Sequence, residues 1–275
     1  MLPAFLLKKA PKTPSWQKIR ELIDPTLHTV CESARCPNRG ECFAEGTATF
    51  LILGGTCTRR CAFCAVEKGI PRPPDPDEPR KIAEAVRKLG LRYVVITSVT
   101  RDDLPDGGTG QFVEVIKEVM GQGSGAEVLI PDNLDLDRLI AARPEVINHN
   151  IETVPRLYPK VRPQANYERS LGILSRVKES GIYTKSGFMV GLGETDEEVA
   201  YALCDLAQAG CDIVTIGQYL APSKNHALVA RYVAPEEYQR YEVWGKGFGI
   251  RFVAAGPFVR SSYKAEETWK KLRDS

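Results

Sequence analysis

Strand-like and helix-like segments alternate along most of this chain, and that alternation limits the folds it can adopt. Apolar runs with strand character recur at residues 48–53, 93–98, 126–130, 145–151, 183–190, 212–219 and 250–254. Segments with apolar residues three and four positions apart, typical of amphipathic helices, occupy residues 79–89, 110–121, 133–142, 166–180, 195–209 and 235–247. Repeated strand-helix units predict parallel strands and an α/β fold, in which chemistry collects where strands end.

Composition is compatible with one large globular domain. The chain has 275 residues, of which 43% are hydrophobic and 26% charged, with a net charge of +2. Such a small net charge gives no overall basic field to attract nucleic acid. No apolar run approaches the roughly 20 residues of a membrane-spanning helix, and the opening MLPAFLLKKAPKTP is unlike a secretory signal. We therefore expect a cytoplasmic protein without a membrane or nucleic-acid partner.

Three cysteines lie within eight residues in the segment CTRRCAFC, at Cys57, Cys61 and Cys64. Three thiolates so close together can bind one 4Fe–4S cluster and leave its fourth iron without a protein ligand, because such clusters otherwise take four cysteines. A structural zinc site is the alternative. It is disfavoured because zinc prefers four closed ligands, usually as two cysteine pairs, and no second pair follows at the usual distance.

A second cysteine group precedes the first, at Cys31, Cys36 and Cys42, which places six thiols within 34 residues. In a reducing compartment so dense a set favours metal clusters over disulfides. The remaining cysteines, Cys204 and Cys211, flank a predicted helix end and strand start, where we expect small buried apolar side chains and assign no chemical role.

Polar residues stand at the ends of two predicted strands. Thr97 and Ser98 end the second strand, and Asn148, Asn150 and Glu152 end the fourth. Amides and a carboxylate are unusual in an otherwise buried strand, so they are candidate ligands for a ribose or an ammonium group. Simple turn or strand-capping residues are the alternative interpretation.

The segment LHTVCESARCPNRGECFAEGTATFLILGGTCTRRCAFCAV at residues 27–66 resembles the lipoyl synthase family of the radical S-adenosylmethionine (SAM) superfamily. In that family a CxxxxCxxxxxC group precedes the CxxxCxxC triplet. The resemblance continues through VVITSVTRDDLPDGG at 94–108, NHNIETVPRLYP at 148–159, KSGFMVGLGET at 185–195 and GPFVRSSY at 256–263. It covers nearly the whole chain, and the two cysteine groups together with RSSY make it specific.

The resemblance implies a partial (β/α)6 TIM-type barrel of the radical SAM kind, with N- and C-terminal extensions. Residues 1–46 would form an extension that carries ligands of an auxiliary cluster, residues 47–255 the barrel, and residues 256–275 a C-terminal segment with RSSY. The glycine-rich segment beginning at Lys185 resembles the GxIxGxxE element that lies beside adenine in the superfamily.

The resemblance also implies the ligands of two 4Fe–4S clusters. Cys57, Cys61 and Cys64 would hold the cluster whose open iron is chelated by SAM. Cys31, Cys36, Cys42 and a serine of RSSY would hold an auxiliary cluster. By position we favour Ser261 over Ser262. Candidate SAM contacts are Thr97, Ser98, Asn148, Asn150, Glu152, Lys185 and Met189.

The reaction implied is that of a sulfurtransferase. Deoxyadenosyl radicals would remove hydrogens from C6 and C8 of an octanoyl chain on a lipoyl carrier domain, and the auxiliary cluster would supply the sulfur. Further partners would be an electron donor such as ferredoxin or flavodoxin and an iron-sulfur carrier for cluster resupply. Alternatives are a biotin-synthase-like sulfur inserter, an RNA-methylthiolating enzyme, which would need a further domain, and a non-catalytic iron-sulfur or zinc protein.

Overall fold

The computed structural model describes residues 3–7, 23–34, 36, 38 and 49–273. Its strands are β1 (His28–Thr29), β2 (Thr49–Ile52), β3 (Thr56–Cys57), β4 (Glu67–Lys68), β5 (Tyr93–Ser98), β6 (Gly125–Leu129), β7 (Val146–Asn148), β8 (Tyr183–Val190), β9 (Ile213–Gln218) and β10 (Phe252–Gly256). Its α-helices are α1 (Val30–Ser33), α2 (Glu78–Leu89), α3 (Thr109–Gly121), α4 (Leu136–Ala141), α5 (Tyr158–Val161), α6 (Tyr167–Glu179), α7 (Asp196–Gln208), α8 (Pro235–Gly247) and α9 (Ala265–Arg273). Short 3-10 turns occupy Ala4–Leu6 and Pro155–Leu157.

The chain divides into two compact units. The first, here the N-terminal unit, contains Lys9–Arg59, Ala65–Val146 and Lys264–Ser275. The second, the C-terminal unit, contains Met1–Lys8, Arg60–Cys64 and Ile147–Tyr263. The division falls inside the CxxxCxxC segment, so Cys57 belongs to the first unit, and Cys61 and Cys64 belong to the second.

The N-terminal unit has the strand order β1-β2-β5-β6. Strand β5 pairs parallel with both β2 and β6, whereas β1 pairs antiparallel with β2. Phe50, Ile52, Val94, Ile96 and Val128 are all fully buried. These strands read as nearly continuous apolar runs because both faces of a parallel sheet are covered. Strands β3 and β4 form a separate parallel pair, with Cys57 opposite Lys68.

The C-terminal unit has the strand order β7-β8-β9-β10, and β9 pairs parallel with both β8 and β10. Beyond the end of β7, an isolated parallel bridge joins Glu152 to Phe188 of β8. The core of this unit includes Val190, Leu203, Val214 and Ile216. Helices α6, α7 and α8 lie between these strands in the sequence, so strand and helix alternate within the unit, as predicted.

Every strand and helix predicted from periodicity is present, with ends within three residues of the prediction. Thr195 is the predicted N-cap of α7, and its side chain accepts the backbone N–H of Glu198 in a capping box. The fourth strand was predicted to reach residue 151 and ends at Asn148. Beyond it the chain bends, and Glu152 has a left-handed φ of 63°.

Two further expectations concern the chain as a whole. None of the described helices is long and apolar enough to cross a membrane. The division at residues 46 and 255 stays a prediction, because residues 39–48, which contain the first boundary, lie outside the described residues.

Candidate active site

A left-handed turn directly after β2 leads the chain toward the cysteine triplet. Leu53 has a φ of 68° and Gly54 a φ of 88°. A left-handed leucine is strained, so its neighbours must hold it in place. Glu78 accepts the backbone N–H of Leu53 at 3.0 Å, and Arg101 donates to the Leu53 carbonyl at 3.3 Å. Burial raises the pKa of Glu78, although hydrogen bonds from the Leu53 N–H and the Gln111 amide oppose the rise.

In the N-terminal unit, the first arm of the triplet is bonded to the loop after β5. The backbone N–H of Thr58 donates to the Thr100 carbonyl at 3.1 Å, and its hydroxyl donates to Asp102 at 3.1 Å. The backbone N–H of Arg59 points to the Cys57 sulfur at 3.4 Å. The Cys57 carbonyl also accepts the backbone N–H of Gly69. Cys57 is therefore held by backbone hydrogen bonds at its own carbonyl and at the next residue, Thr58.

The Arg59 side chain is paired with two carboxylates of the N-terminal unit. It is only 8% exposed, and its Nε and Nη2 atoms donate to the two oxygens of Asp102, each at 2.8 Å. Its Nη1 atom donates to Asp132. Hydrogen bonds from Arg59 hold the pKa of Asp102 below its usual value. Arg156, which is exposed, pairs with Glu198, whereas Arg162 is buried and donates to the Asn150 carbonyl just beyond β7.

In the C-terminal unit, the second arm of the triplet is bonded to the loop before α8. Cys64 closes a turn on the Cys61 carbonyl at 3.3 Å, and Ala227 donates to the Ala62 carbonyl at 2.8 Å. The His226 Nε2 atom contacts the Cys64 carbonyl at 3.1 Å. Sequence reasoning assigned no role to His226.

The end of β7 brings together three predicted site residues of the C-terminal unit. The Asn150 amide donates to the Ser261 hydroxyl at 2.7 Å and to Glu152 at 3.0 Å. Its Oδ1 atom is buried with no hydrogen-bond partner among the described residues. Burial raises the pKa of Glu152. Arg162 donates to the carbonyls of Asn150 and Ile151, which fixes this bend.

The other predicted SAM contacts of this unit lie on β7 and β8. Asn148 is fully buried, and Lys185 is 1% exposed. Met189 is half-buried against the core of the unit. Ser186, next to Lys185, has a buried hydroxyl without a hydrogen-bond partner in the described part of the chain. A Cβ on Gly187 would overlap the Thr215 hydroxyl, so β8 and β9 approach closely at this glycine.

Residues 187–194, which resemble the GxIxGxxE element, cover the end of β8 and the turn that leads to α7. Glu194 accepts the backbone N–H groups of Gly191 at 2.6 Å and Leu192 at 2.9 Å. The glutamate therefore closes the turn that ends the strand, and it does so from a side chain that is almost fully buried.

In the N-terminal unit, Thr97 and Ser98 end β5 as predicted. The Thr97 hydroxyl donates to the Leu129 carbonyl of β6 at 2.8 Å, so part of its bonding capacity serves the sheet. The Ser98 hydroxyl is buried and has no hydrogen-bond partner among the residues described.

Two of the three upstream cysteines are described. Cys31 is 7% exposed, and burial raises the pKa of its thiol to about 11. The Cys36 backbone N–H donates to the Cys31 carbonyl at 3.1 Å. Cys42 lies outside the described residues.

The residues present fit an iron-sulfur cluster and a polar nucleoside-like ligand, by the chemistry of their donors. Cys57, Cys61 and Cys64 are half-buried thiols, the ligands that such clusters take. Within each unit, buried oxygens at strand ends face no protein donor, as at Ser98 and Asn150. No three His, Cys, Asp or Glu side chains of the described residues are gathered into a group that could hold a metal ion. The triplet assignment therefore rests on the spacing of the three cysteines in the sequence.

Comparisons with known proteins agree with this chemistry. The profile of the Radical SAM superfamily matches residues 51–206. SuiB of Streptococcus suis bound to S-adenosylmethionine superposes with a TM-score of 0.61 at 10% identity, covering 80% of this chain and 54% of SuiB. Methylornithine synthase (PylB) superposes with a TM-score of 0.53 at 16% identity, covering 75% of this chain and 70% of that protein.

These matches define the class: the fold is an α/β partial TIM-type barrel, and the chain is a radical SAM protein. A lipoyl synthase of Caldanaerobacter subterraneus subsp. tengcongensis is 54% identical over 273 residues, which are 93% of this chain and 96% of that protein. A lipoyl synthase of Nitratidesulfovibrio vulgaris strain Hildenborough is 51% identical over 278 residues, covering 98% and 93%. The chain belongs to the lipoyl synthase family. It is thus an enzyme of lipoate biosynthesis that uses SAM and a 4Fe–4S cluster.

Proposed function

We propose that this enzyme is a sulfurtransferase that inserts two sulfur atoms, at C6 and C8 of a protein-bound octanoyl chain, to give the lipoyl group. Cys57, Cys61 and Cys64 hold the cluster that binds SAM, and Cys31, Cys36, Cys42 and Ser261 hold a second 4Fe–4S cluster. The observation that carries the proposal is the 2.7 Å hydrogen bond from Asn150 to Ser261. It links the RSSY segment to the strand end where SAM contacts are expected.

The chemistry explains the need for cofactors. A saturated carbon has neither an acidic proton nor a leaving group, so acid-base side chains cannot activate it. The bound cofactors supply a radical that removes such hydrogens and a sulfide that replaces them. The protein binds, orients and shields the reactants.

The residues at the end of β7 can bind a ribose. The Asn150 Oδ1 atom and the Glu152 carboxylate are acceptors for hydroxyl groups, and the bend held by Arg162 presents both. Lys185 and Met189 on β8 are proposed to contact SAM from the neighbouring strand, together with Asn148. Thr97 and Ser98 at the end of β5 are proposed contacts from the N-terminal unit.

The serine ligand suits a cluster that loses sulfur. A serine oxygen binds iron less firmly than a thiolate, so its bond is the more easily broken. The serine oxygen accepts one N–H from Asn150, which uses one of its two lone pairs and leaves the other available to iron. We propose that residues 1–46 and 256–275 form the extensions that carry this second cluster, around a barrel of residues 47–255.

The proposed partners follow from the reaction. They are an octanoylated lipoyl carrier domain, an electron donor such as ferredoxin or flavodoxin, and an iron-sulfur carrier that replaces the consumed cluster. We propose that the reaction takes place in the cytoplasm.

The proposal is tested by a reconstituted reaction. Anaerobic reconstitution should give about eight iron and eight sulfide per chain, because each of the two clusters contains four of each. Protein incubated with SAM, a low-potential reductant and an octanoyl-lysine carrier peptide should form 5′-deoxyadenosine and a peptide heavier by two sulfur atoms, measured by mass spectrometry. A Cys36→Ala control should cleave SAM without adding sulfur. Zinc without sulfide, or cleaved SAM with an unmodified peptide from the unsubstituted enzyme, would refute the proposal.

A further inference from the structure

Two consecutive arginines of the cysteine triplet have opposite environments. Arg59 is 8% exposed, and its guanidinium is bonded to carboxylates of the N-terminal unit. Arg60 is exposed, and its contact to Gln164 is made by the backbone N–H, at 2.8 Å. The two residues have the same chemistry and adjacent positions, so the difference in burial calls for a reason specific to Arg59.

The Arg59 guanidinium is bound from two directions. Asp102, after β5, accepts in bidentate fashion at 2.8 Å from Nε and Nη2. Asp132, after β6, accepts from Nη1, and its side chain is completely buried. A bidentate arginine-carboxylate pair fixes orientation as well as position, and a lysine cannot reproduce its geometry. Breaking a buried pair on one side is costly because the other charge loses its partner.

The backbone of the same residue contacts the first cysteine of the triplet. The N–H of Arg59 is directed at the Cys57 sulfur, 3.4 Å away. Thr58 carries a second set of bonds to the same loop, through Thr100 and Asp102. Hydrogen bonds to thiolate sulfurs are among the factors that set the potential of an iron-sulfur cluster.

We propose that Arg59 is a positioning residue for the radical SAM cluster. Through Asp102 and Asp132 it fixes the Cys57 arm of the triplet and aims its own backbone N–H at the Cys57 sulfur. Arg60, which is exposed, has no such positioning role. The inference rests on the proposed function, which assigns Cys57 as a cluster ligand.

The test compares Arg59→Gln with the matched control Arg60→Gln. Both are made in full-length protein in which Cys36 and Cys42 are replaced by alanine, so that the triplet is the cluster site that remains. After anaerobic reconstitution, two quantities are measured: the rate of iron loss to a chelator, and the electron paramagnetic resonance spectrum of the reduced cluster with and without SAM. Arg59→Gln should lose iron on the order of tenfold faster and show an altered spectrum, as loss of an outer-shell partner of a ligand predicts. Arg60→Gln should match its parent in both.

Two further variants separate positioning from simple destabilisation. If Arg59 and Asp102 act as one unit, the double variant Arg59→Gln/Asp102→Asn should lose iron no faster than the worse single variant. Arg59→Lys keeps the charge, so the melting temperature of the metal-free protein should be largely restored while the altered spectrum persists. If Arg59→Gln fails to fold, the spectrum of Arg59→Lys provides the test in its place.

Each outcome decides the question. Equal iron loss and identical spectra for the Arg59 and Arg60 variants would overturn the positioning role while leaving the proposed function intact. A spectrum fully restored by lysine would reduce Arg59 to a charge that stabilises the fold, and would overturn it too. If the parent protein itself binds no iron and sulfide, the cluster assignment fails first, and the inference fails with it.

Discussion

Ser261 and Ser262 are neighbours in the sequence, but the structure gives Ser261 a specific bond. Its hydroxyl oxygen accepts the Asn150 amide at 2.7 Å. Both residues are half-buried, so residue exposure alone does not separate them. The bond to a predicted SAM contact favours Ser261 as the ligand of the second cluster.

This assignment predicts different outcomes for two alanine variants. Ser261→Ala should slow sulfur insertion by at least about 10-fold, the lower limit expected even for loss of a partner that only orients a metal ligand. SAM cleavage should persist, because the triplet is unchanged. Ser262→Ala is the matched control and should insert sulfur at nearly the rate of the unsubstituted enzyme. Quantifying thiolated peptide and 5′-deoxyadenosine together distinguishes the two; a defect in Ser262→Ala alone would reassign the ligand.

Sequence patterns revealed some site residues and concealed others for a physical reason. Asn150 and Glu152 stand out because polar side chains interrupt an apolar strand. The pairing of Arg59 with Asp102 and Asp132 spans 43 and 73 positions, and the contact of His226 with Cys64 spans 162. Local periodicity contains no signal for such distant partners, so a buried arginine and a solvated one look the same in sequence.

At the scale of elements, the turn between β8 and α7 depends on two glycines with different surroundings. Gly191 has a φ of 95° and Gly193 a φ of 109°, so both conformations disfavour a side chain. A Cβ on Gly191 would overlap the Gln218 amide and lie 2.6 Å from the Arg231 carbonyl. A Cβ on Gly193 would have Ala230 at 3.8 Å, an ordinary contact.

Substituting each glycine by alanine should therefore separate backbone strain from steric overlap. Gly193→Ala should lower the free energy of unfolding by about 1–3 kcal/mol, the usual cost of an unfavourable φ. Gly191→Ala should cost more, because the strand end must also move away from Gln218. Urea unfolding of the metal-free variants measures both. Equal losses would mean that the turn adjusts without strain beyond φ.

Strands and helices were predictable from the sequence where they are long enough to show a regular spacing of apolar residues. The strands and helices of the repeating units were found because apolar residues recur over four or more positions in each. Strands β1, β3 and β4 are two residues long, so they contain no period to detect. Two of these short strands, β3 and β4, flank the cysteine triplet and pair with Cys57 opposite Lys68.

At the scale of the whole molecule, the described carboxyl groups with a shifted pKa fall into two sets. Hydrogen bonds and nearby cations hold the pKa below its ordinary value at Asp24, Asp75, Asp102, Asp103, Asp106, Glu197, Glu198 and Glu237. Burial raises the pKa at Glu78 and Glu152. The two sets act on stability in opposite directions as the pH changes.

The signs follow from which state binds more protons. For the lowered set, the unfolded chain takes up protons first, so stability is present above about pH 4 and is lost as the pH falls below the ordinary values. For Glu78 and Glu152, the folded protein takes up protons first, so stability rises as the pH falls toward 4.5, the ordinary pKa of glutamate. Urea midpoints of the metal-free protein should change little or rise from pH 7 to about 5, then fall steeply below about 4.

Two substitutions test which carboxyl groups cause the rise and the fall of stability with pH. Asp102→Asn should lower stability at pH 7 and flatten the fall below about pH 4, because the carboxylate bound to Arg59 is gone. Glu78→Gln should remove part of the rise between pH 7 and about 5, since its amide can still accept the Leu53 N–H but no longer titrates. If both variants keep the parent's pH profile, neither carboxyl governs the acid response. The fall would then belong to the other seven groups with a lowered pKa, whose partners lie elsewhere in the two units.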